Sequence, residues 1–164
     1  LDIGVGSGCI LLSILKERKH YRGTGIDISK KCLKITKMNA INLDVISQLK
    51  LYKTNVDKFN LGKYDLIVSN PPYIKKYILK YLDKDVVEFE PKLALDGGID
   101  GLKEIRKVIK KSSELIKKNG KFVLEIGFDQ KNKVISLLKK EGFYINSINK
   151  DLANNDRCIV CTKI

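Results

Sequence analysis

With 164 residues, 43% of them hydrophobic, the chain is of a size to fold as one domain around a single core. No apolar run approaches the roughly 20 residues of a membrane-spanning helix, and no leader peptide is visible. The formal net charge of +13 comes from 32 Lys and Arg against 19 Asp and Glu. Only Arg18, Arg22, Arg106 and Arg157 are arginine, the residue whose bidentate fork suits base reading, and the 28 lysines are scattered along the chain. The charge by itself points toward nucleic acid. Its makeup of few arginines and scattered lysines argues against a sequence-reading surface and leaves only some attraction to RNA-rich surroundings or an acidic partner.

Leu1-Asp2-Ile3 reads as the end of a strand, so the chain is expected to be a fragment whose N-terminal part is absent. Gly4-Val5-Gly6-Ser7-Gly8 follows, and then a helix with Ile10, Leu11, Ile14 and Leu15 on its apolar side. A second strand is predicted over Gly23–Ile28. Ser29 is placed to cap a helix from Lys30 to about Asn42. Strands are expected at about Gln48–Tyr52 and at Tyr64–Ser69. The stretch from Ile74 to Gly101 reads as a long loop, an uncommon feature that often carries function. A helix from Leu102 to Lys118 buries Leu102, Ile105, Val108, Ile109, Leu115 and Ile116, and Asn119-Gly120 is expected to end it. A strand at Phe122–Ile126, a helix at about Gln130–Glu141 closed by Gly142, and a hairpin of Tyr144–Asn149 with Cys158–Lys163 complete the chain. Strands alternating with helices imply a mostly parallel sheet covered on both faces.

The chemistry is concentrated at strand ends. Asp2-x-Gly4-x-Gly6-x-Gly8 lies between a strand and a helix, where glycines permit a tight turn and close approach of a ligand to backbone. The spacing is not G-x-G-x-x-G and no P-loop lysine follows, which favours a ligand without a pyrophosphate. A purely structural turn is the plain alternative. Asp27, about 20 residues on, stands where an acidic side chain accepts both ribose hydroxyls. Asn55 and Val56 fall where an adenine would lie, Asn55 against its amino edge and Val56 against its ring, although Asn55 also reads as an ordinary turn residue.

The most specific element is Asn70-Pro71-Pro72-Tyr73 at the end of the fourth strand. The two prolines fix φ and remove two donors, leaving the Asn70 side chain and the backbone carbonyls as acceptors for an NH2 group, with Tyr73 as an aromatic wall. Asn70, Pro71 and Tyr73 are the candidate catalytic residues, and Pro72 joins them in holding the substrate. The sequence offers no acid–base pair, triad or metal cluster. Cys158-x-x-Cys161 lacks a second pair, and positions i and i+3 of a strand face opposite ways, so these cysteines read as buried small hydrophobes. The four cysteines suit a reducing, cytoplasmic compartment.

These residues together resemble a Rossmann-like class I S-adenosylmethionine-dependent methyltransferase, specifically the C-terminal catalytic domain of the HemK/PrmC family. The resemblance covers essentially the whole chain. It includes Phe89-Glu90-Pro91-x-x-Ala94-Leu95, Gly97-Gly98-x-Asp100-Gly101-Leu102, Leu124-Glu125-Ile126-Gly127 with Gln130, and Asp151-Leu152 with Asp156-Arg157.

What the resemblance implies is a seven-stranded, mostly parallel sheet with an antiparallel last strand and a truncated first one. It implies transfer of a methyl group to the side-chain nitrogen of a glutamine in a peptide-chain release factor. S-adenosylmethionine would lie on Gly4, Val5, Gly6, Ser7, Gly8, Asp27, Asn55, Val56 and Asn70, with no metal. The family's N-terminal helical domain is missing from residues 1–164, and Asn55-Val56 departs from the acidic residue that usually precedes the hydrophobe there. Glu88, Glu90 and Glu125 could shape an entrance for the glutamine, or serve as surface and caps, and Arg157 could equally be a partner for the sheet edge. Two other readings stay open. One is an adenine-N6 or guanine-N2 nucleic-acid methyltransferase using the same clamp. The other is an inactive cofactor-binding module that docks on translation partners.

Overall fold

The computed structural model describes residues 1–78 and 96–164. Seven strands run β1 Asp2–Ile3, β2 Gly23–Asp27, β3 Leu49–Lys53, β4 Tyr64–Ser69, β5 Ile116–Glu125, β6 Phe143–Lys150 and β7 Asp156–Lys163. Four α-helices among the described residues are α1 Cys9–Glu17, α2 Lys30–Asn42, α3 Lys103–Leu115 and α4 Lys131–Lys140. The strands form one sheet in the order β3-β2-β1-β4-β5-β7-β6. All neighbours pair in parallel except β7, which runs antiparallel to both β5 and β6.

Each helix covers the sheet with the stripe its periodicity provides. Leu11, Leu12 and Leu15 of α1 join Val5, Ala40 and Val45 in one cluster, against which Leu49 and Leu51 of β3 pack. The opposite cluster gathers Ile105, Val108 and Ile109 of α3 and Val134 and Leu138 of α4. They pack on Ile67, Phe122, Leu124 and Ile159 from the strands. Helix α2 starts where expected, its Ser29 hydroxyl accepting the Cys32 N–H at 3.2 Å. The first helix differs from expectation in its face, since Ile10 is 40% exposed and Leu12 takes the buried position.

The larger departure is at the end of α3. The helix stops at Leu115, and Ile116 turns extended (φ −77°, ψ 143°) to pair with Tyr64. The register then shifts, so that Lys121 is the partner of Leu66. Lys117 places both its contacts on the Asp65 carboxylate at 2.9 Å, and Asn119 takes a left-handed φ of 65°. Asn119-Gly120 is thus the turn of an irregularity inside β5 and not a helix cap. The buried Ile116 satisfies helical spacing and a sheet position equally well, and backbone pairing with β4 decides between them.

Phe122 is fully buried, its ring centroid 5.5 Å from that of Phe143. Phe122→Ala should cost about 3–5 kcal/mol, the usual range for a buried phenylalanine. Urea denaturation should register this as a lowered midpoint. A loss below about 1 kcal/mol would mean that this core is not organised as described.

Candidate functional site

Strand register brings the singled-out residues to one edge of the sheet. Ile3 is paired with Ile26 on one side and with Ser69 on the other. The next residues along the three strands are Gly4, Asp27 and Asn70, which therefore leave the sheet at the same level. Ser69 is in turn level with Leu124, which adds Glu125, while Asp27 is level with Lys53, which precedes Thr54 and Asn55. Strand order reverses direction at β1, and the crevice beyond strand ends at such a reversal is where ligands of open α/β sheets bind.

The glycine loop is held by backbone bonds. Gly4 and Val5 both donate to the Ile26 carbonyl, at 2.9 and 3.0 Å, and Gly8 donates to the Val5 carbonyl at 2.8 Å. Helix α2 fixes the far side, with the Thr36 hydroxyl on the Gly6 carbonyl and the Asn39 amide on the Ser7 carbonyl. Gly4, Gly6 and Gly8 all have positive φ. A Cβ added at Gly4 would meet nothing within 4 Å and one at Gly6 only the Gly4 carbonyl, whereas at Gly8 it would press within 2.8 Å of Leu12 and Thr36. The loop is therefore packed against the helices at Gly8 and open toward the crevice at Gly4 and Gly6. Asp27 completes this edge: one carboxylate oxygen accepts the Gly6 N–H at 3.0 Å and the other the Ser29 N–H at 2.8 Å. Each oxygen keeps a free lone pair, so the carboxylate is both buttress and prospective acceptor.

Asn55 and Val56 are already committed in part. Asn55 Oδ1 accepts the Asp57 N–H at 3.1 Å and caps the short 3-10 turn Val56–Lys58. Val56 is 9% exposed and belongs to the main core with Phe59, so its side chain is not a free platform for a planar ring. With Oδ1 committed to the turn, the Asn55 amide nitrogen has no hydrogen-bond partner among the described residues.

At the tip of β4, Ser69 is buried and its hydroxyl donates to the Ile3 carbonyl at 2.7 Å, tying this strand to β1 one residue before both reach the crevice. Asn70 is exposed and Pro71 buried. Among the described residues no protein donor occupies Asn70 Oδ1 or the Pro71 carbonyl. Tyr73 is half-buried with its phenol donating to Glu125 Oε1 at 3.1 Å. Burial and the adjacent Glu125 carboxylate hold the phenol above its ordinary pKa, which keeps it protonated as that donor. The Arg157 guanidinium lies over the Tyr73 ring, 5.7 Å from its centroid.

Arg157 has a structural anchor of its own. Its Nε and Nη2 donate to Asp151 Oδ2 at 3.1 and 3.0 Å, and Nη1 donates to the Ile126 carbonyl at 3.0 Å. It is thus bound to the clamp and to the β6–β7 loop, not to the edge of the sheet. Glu125 likewise serves Tyr73, while Glu88 and Glu90 lie outside the described residues. Sequence reasoning left Gln130 without a role. It is 2% exposed and bonds to the Tyr73 and Gly101 carbonyls. A lone glutamine four residues after Leu124-Glu125-Ile126 gives no periodic signal, and only its place in the family pattern marks it. Cys161 is buried with its thiol pushed up to about 12, which makes it inert, and Cys158 is half-buried. Among the described residues, no group of three His, Cys, Asp or Glu could hold a metal ion, and no helix is long and apolar enough to cross a membrane.

A seven-stranded sheet of this order with its open crevice at the β1 and β4 tips defines a class I methyltransferase fold. Comparisons with known proteins agree. Residues 1–87 match the methyltransferase small domain. A release factor glutamine methyltransferase of Caulobacter vibrioides is 40% identical over 164 residues, covering 99% of this chain and 57% of that protein. Another, from Fusobacterium nucleatum, is also 40% identical and covers 99% and 46%. A bifunctional methyltransferase of Rickettsia typhi is 36% identical, covering 100% of this chain and 32% of its own length. The chain thus spans about half or less of the curated relatives it matches. Among solved structures, a methyltransferase from Pyrococcus furiosus superposes with a TM-score of 0.72 at 15% identity, covering 99% of this chain and 74% of the other. A ribosomal protein L11 methylase from Lactobacillus delbrueckii gives 0.70 at 21% identity, covering 99% and 68%. The chain belongs to the methyltransferase small-domain family, and nearly its whole length is similar in sequence to the release factor glutamine methyltransferases.

Asp2, which leads the glycine motif, is 2% exposed, and burial raises its carboxyl to about 7. A carboxyl with a higher pKa in the fold than in the unfolded chain binds more protons when folded. Its contribution to stability is therefore full below about pH 4 and is lost as pH rises through 7. Asp2→Asn cannot ionise and should gain on the wild type across that window. Thermal denaturation should give nearly equal Tm values near pH 4 and an advantage of at least about 3 °C for the variant at pH 8. A difference that does not change with pH would contradict the burial of an ionisable group at this position.

Proposed function

We propose that this chain is the catalytic domain of an S-adenosylmethionine-dependent methyltransferase that methylates the side-chain amide nitrogen of a glutamine in a peptide-chain release factor. The observation that carries the reading is the level exit of Gly4, Asp27 and Asn70 from three adjacent strands. It sets an open glycine loop and a carboxylate beside Asn70 Oδ1 and the Pro71 carbonyl, two acceptors that meet no donor among the described residues. The relatives named release factor glutamine methyltransferase support glutamine as the acceptor.

The residues fit the cofactor by their donor and acceptor character. Gly4 and Gly6 leave the crevice free for a ligand to lie on the backbone of Gly4–Gly8. Asp27 has lone pairs for two ribose hydroxyls, and Asn55 has amide donors for the edge of a purine. S-adenosylmethionine, held there, supplies a methyl group activated by a positively charged sulfur.

The rest of the task falls to the clamp. A glutamine nitrogen is a weak nucleophile because its lone pair is delocalised into the carbonyl. Asn70 Oδ1 and the Pro71 carbonyl accept its two N–H groups and fix the direction of the lone pair, which is the orientational part of catalysis. As the nitrogen gains a substituent its N–H groups become more acidic. The same two hydrogen bonds therefore strengthen on the way to the transition state, which is the requirement for raising turnover. Tyr73 packs against the amide plane, and the Glu125 carboxylate and Arg157 guanidinium set the tilt of its ring.

The charge of +13 favours one competing reading, a nucleic acid presenting a base to the same clamp. The test is transfer of labelled methyl from S-adenosylmethionine by the full-length protein, offered a bacterial-type release factor, its Gln→Ala variant, duplex DNA and ribosomal RNA in parallel. Label is expected on the wild-type factor alone, and Asn70→Ala should lower turnover by at least about 10²-fold, as for one oriented transition-state contact. Label on nucleic acid, with binding that falls steeply as salt rises, would move the acceptor from protein to base. Cofactor binding with no transfer to any acceptor would support the inactive docking module.

A further inference from the structure

Asn70-Pro71-Pro72-Tyr73 poses a problem of anchorage. Prolines fix their own φ but have no N–H, so neither Pro71 nor Pro72 can be tied to the fold by donating a hydrogen bond. An acceptor clamp built from them is only as well placed as its next carbonyl. That carbonyl, of Tyr73, accepts Gln130 Nε2 at 3.0 Å. The second proton of the same nitrogen goes to the Gly101 carbonyl at 3.1 Å, and Gln130 Oε1 accepts the Gly127 N–H at 2.8 Å. Two carbonyls on one side and an N–H on the other admit only a carboxamide in this orientation. A carboxylate would face two carbonyl oxygens, and an aliphatic side chain would leave all three backbone groups unpaired at a buried site.

The surroundings are fitted to that amide. A Cβ at Gly101 would come within 2.5 Å of the Tyr73 carbonyl and 2.6 Å of Gln130 Nε2, and Gly101 has a φ of +75°. A Cβ at Gly127 would lie 3.0 Å from Gln130 Cδ. The segments on either side are laced together as well. Gly97 donates to the Ile74 carbonyl at 2.8 Å and Lys76 to the Gly98 carbonyl at 2.9 Å. One buried side chain therefore joins three backbone segments, those of Tyr73, Gly101 and Gly127, at the base of the clamp.

We infer that Gln130 is the positioning residue of the acceptor clamp, holding the Tyr73 carbonyl so that Asn70 and Pro71 meet the acceptor nitrogen in register. This rests on the reading of Asn70–Tyr73 as that clamp. Gln130 is buried, and its amide is engaged with three backbone groups. Its loss should therefore slow turnover while leaving the affinity for S-adenosylmethionine, which is held by the Gly4–Gly8 loop and Asp27, almost unchanged.

The test compares Gln130→Met and Gln130→Asn with wild type and with Asn70→Ala in the full-length protein. Methionine keeps the length and removes the bonds, and asparagine keeps the amide but shortens its reach. For both Gln130 variants, kcat should fall at least about tenfold, the scale of effect that misplacement of reacting groups produces. The cofactor Kd by calorimetry and the KM for the release factor should stay within about threefold. Amide hydrogen exchange should quicken at Gly127, Gly97 and Lys76 and not along Gly4–Gly8. If Asn70→Ala keeps wild-type turnover, the clamp reading itself fails. If Asn70→Ala loses turnover while folded Gln130 variants keep it, only the role of Gln130 is overturned. If both Gln130 variants lose cofactor affinity together with kcat, or fail to fold, Gln130 serves general stability and the inference is wrong.

Discussion

The hydrogen-bonded register of β1 with its two neighbours is the constraint on which the site depends. The strand contributes two residues, yet Leu1 donates to the Leu66 carbonyl, Val68 to the Leu1 carbonyl, and Gly4 and Val5 to the Ile26 carbonyl. A slip of one residue would turn every side chain to the other face and move the glycine loop out of level with Asp27 and Asn70. The buried Ser69 hydroxyl on the Ile3 carbonyl opposes such a slip where it would do most damage. The glycine loop and the Asn70–Tyr73 turn are thereby set relative to one another by sheet pairing and not by the loops themselves.

Much of this was legible in the sequence, because strand ends followed by Gly, Asp or Asn-Pro-Pro announce themselves locally. The alternation of strands with helices, the Ser29 cap and the closing antiparallel pair all follow from periodicity and side-chain chemistry. What escaped has a common cause. Ile116 carries an apolar side chain suited to helix or sheet, and only pairing with Tyr64 over a distance of many residues resolves it. Gln130 and Arg157 act through partners 57 and 84 residues away, and a single polar residue has no pattern by which such a partner could be read.

Two groups of polar contacts then divide the work beside the crevice. The Gln130 amide fixes backbone, with both of its N–H donors and one lone pair of its oxygen spent on backbone groups. Glu125, Arg157 and Asp151 fix an aromatic ring from the side, with Arg157 also held on the Ile126 carbonyl. Neither group bonds to Asn70 Oδ1 or to the Pro71 carbonyl, so among the described residues both acceptors stay without a protein donor beside a rigid surround. Among the described residues no lysine side chain joins either group, and Lys75, close after Tyr73 in sequence, pairs with Asp129 instead.

The account turns on where an acceptor nitrogen comes to rest. The most direct measurement is a crystal structure of the full-length protein with S-adenosylhomocysteine and a glutamine-bearing peptide from a release factor. The account predicts the glutamine amide nitrogen within about 3 Å of both Asn70 Oδ1 and the Pro71 carbonyl, with the nucleoside on Gly4–Gly8 and its ribose on Asp27. A glutamine bound with its nitrogen turned away from Asn70, or a nucleoside seated elsewhere than the β1 and β2 tips, would contradict it.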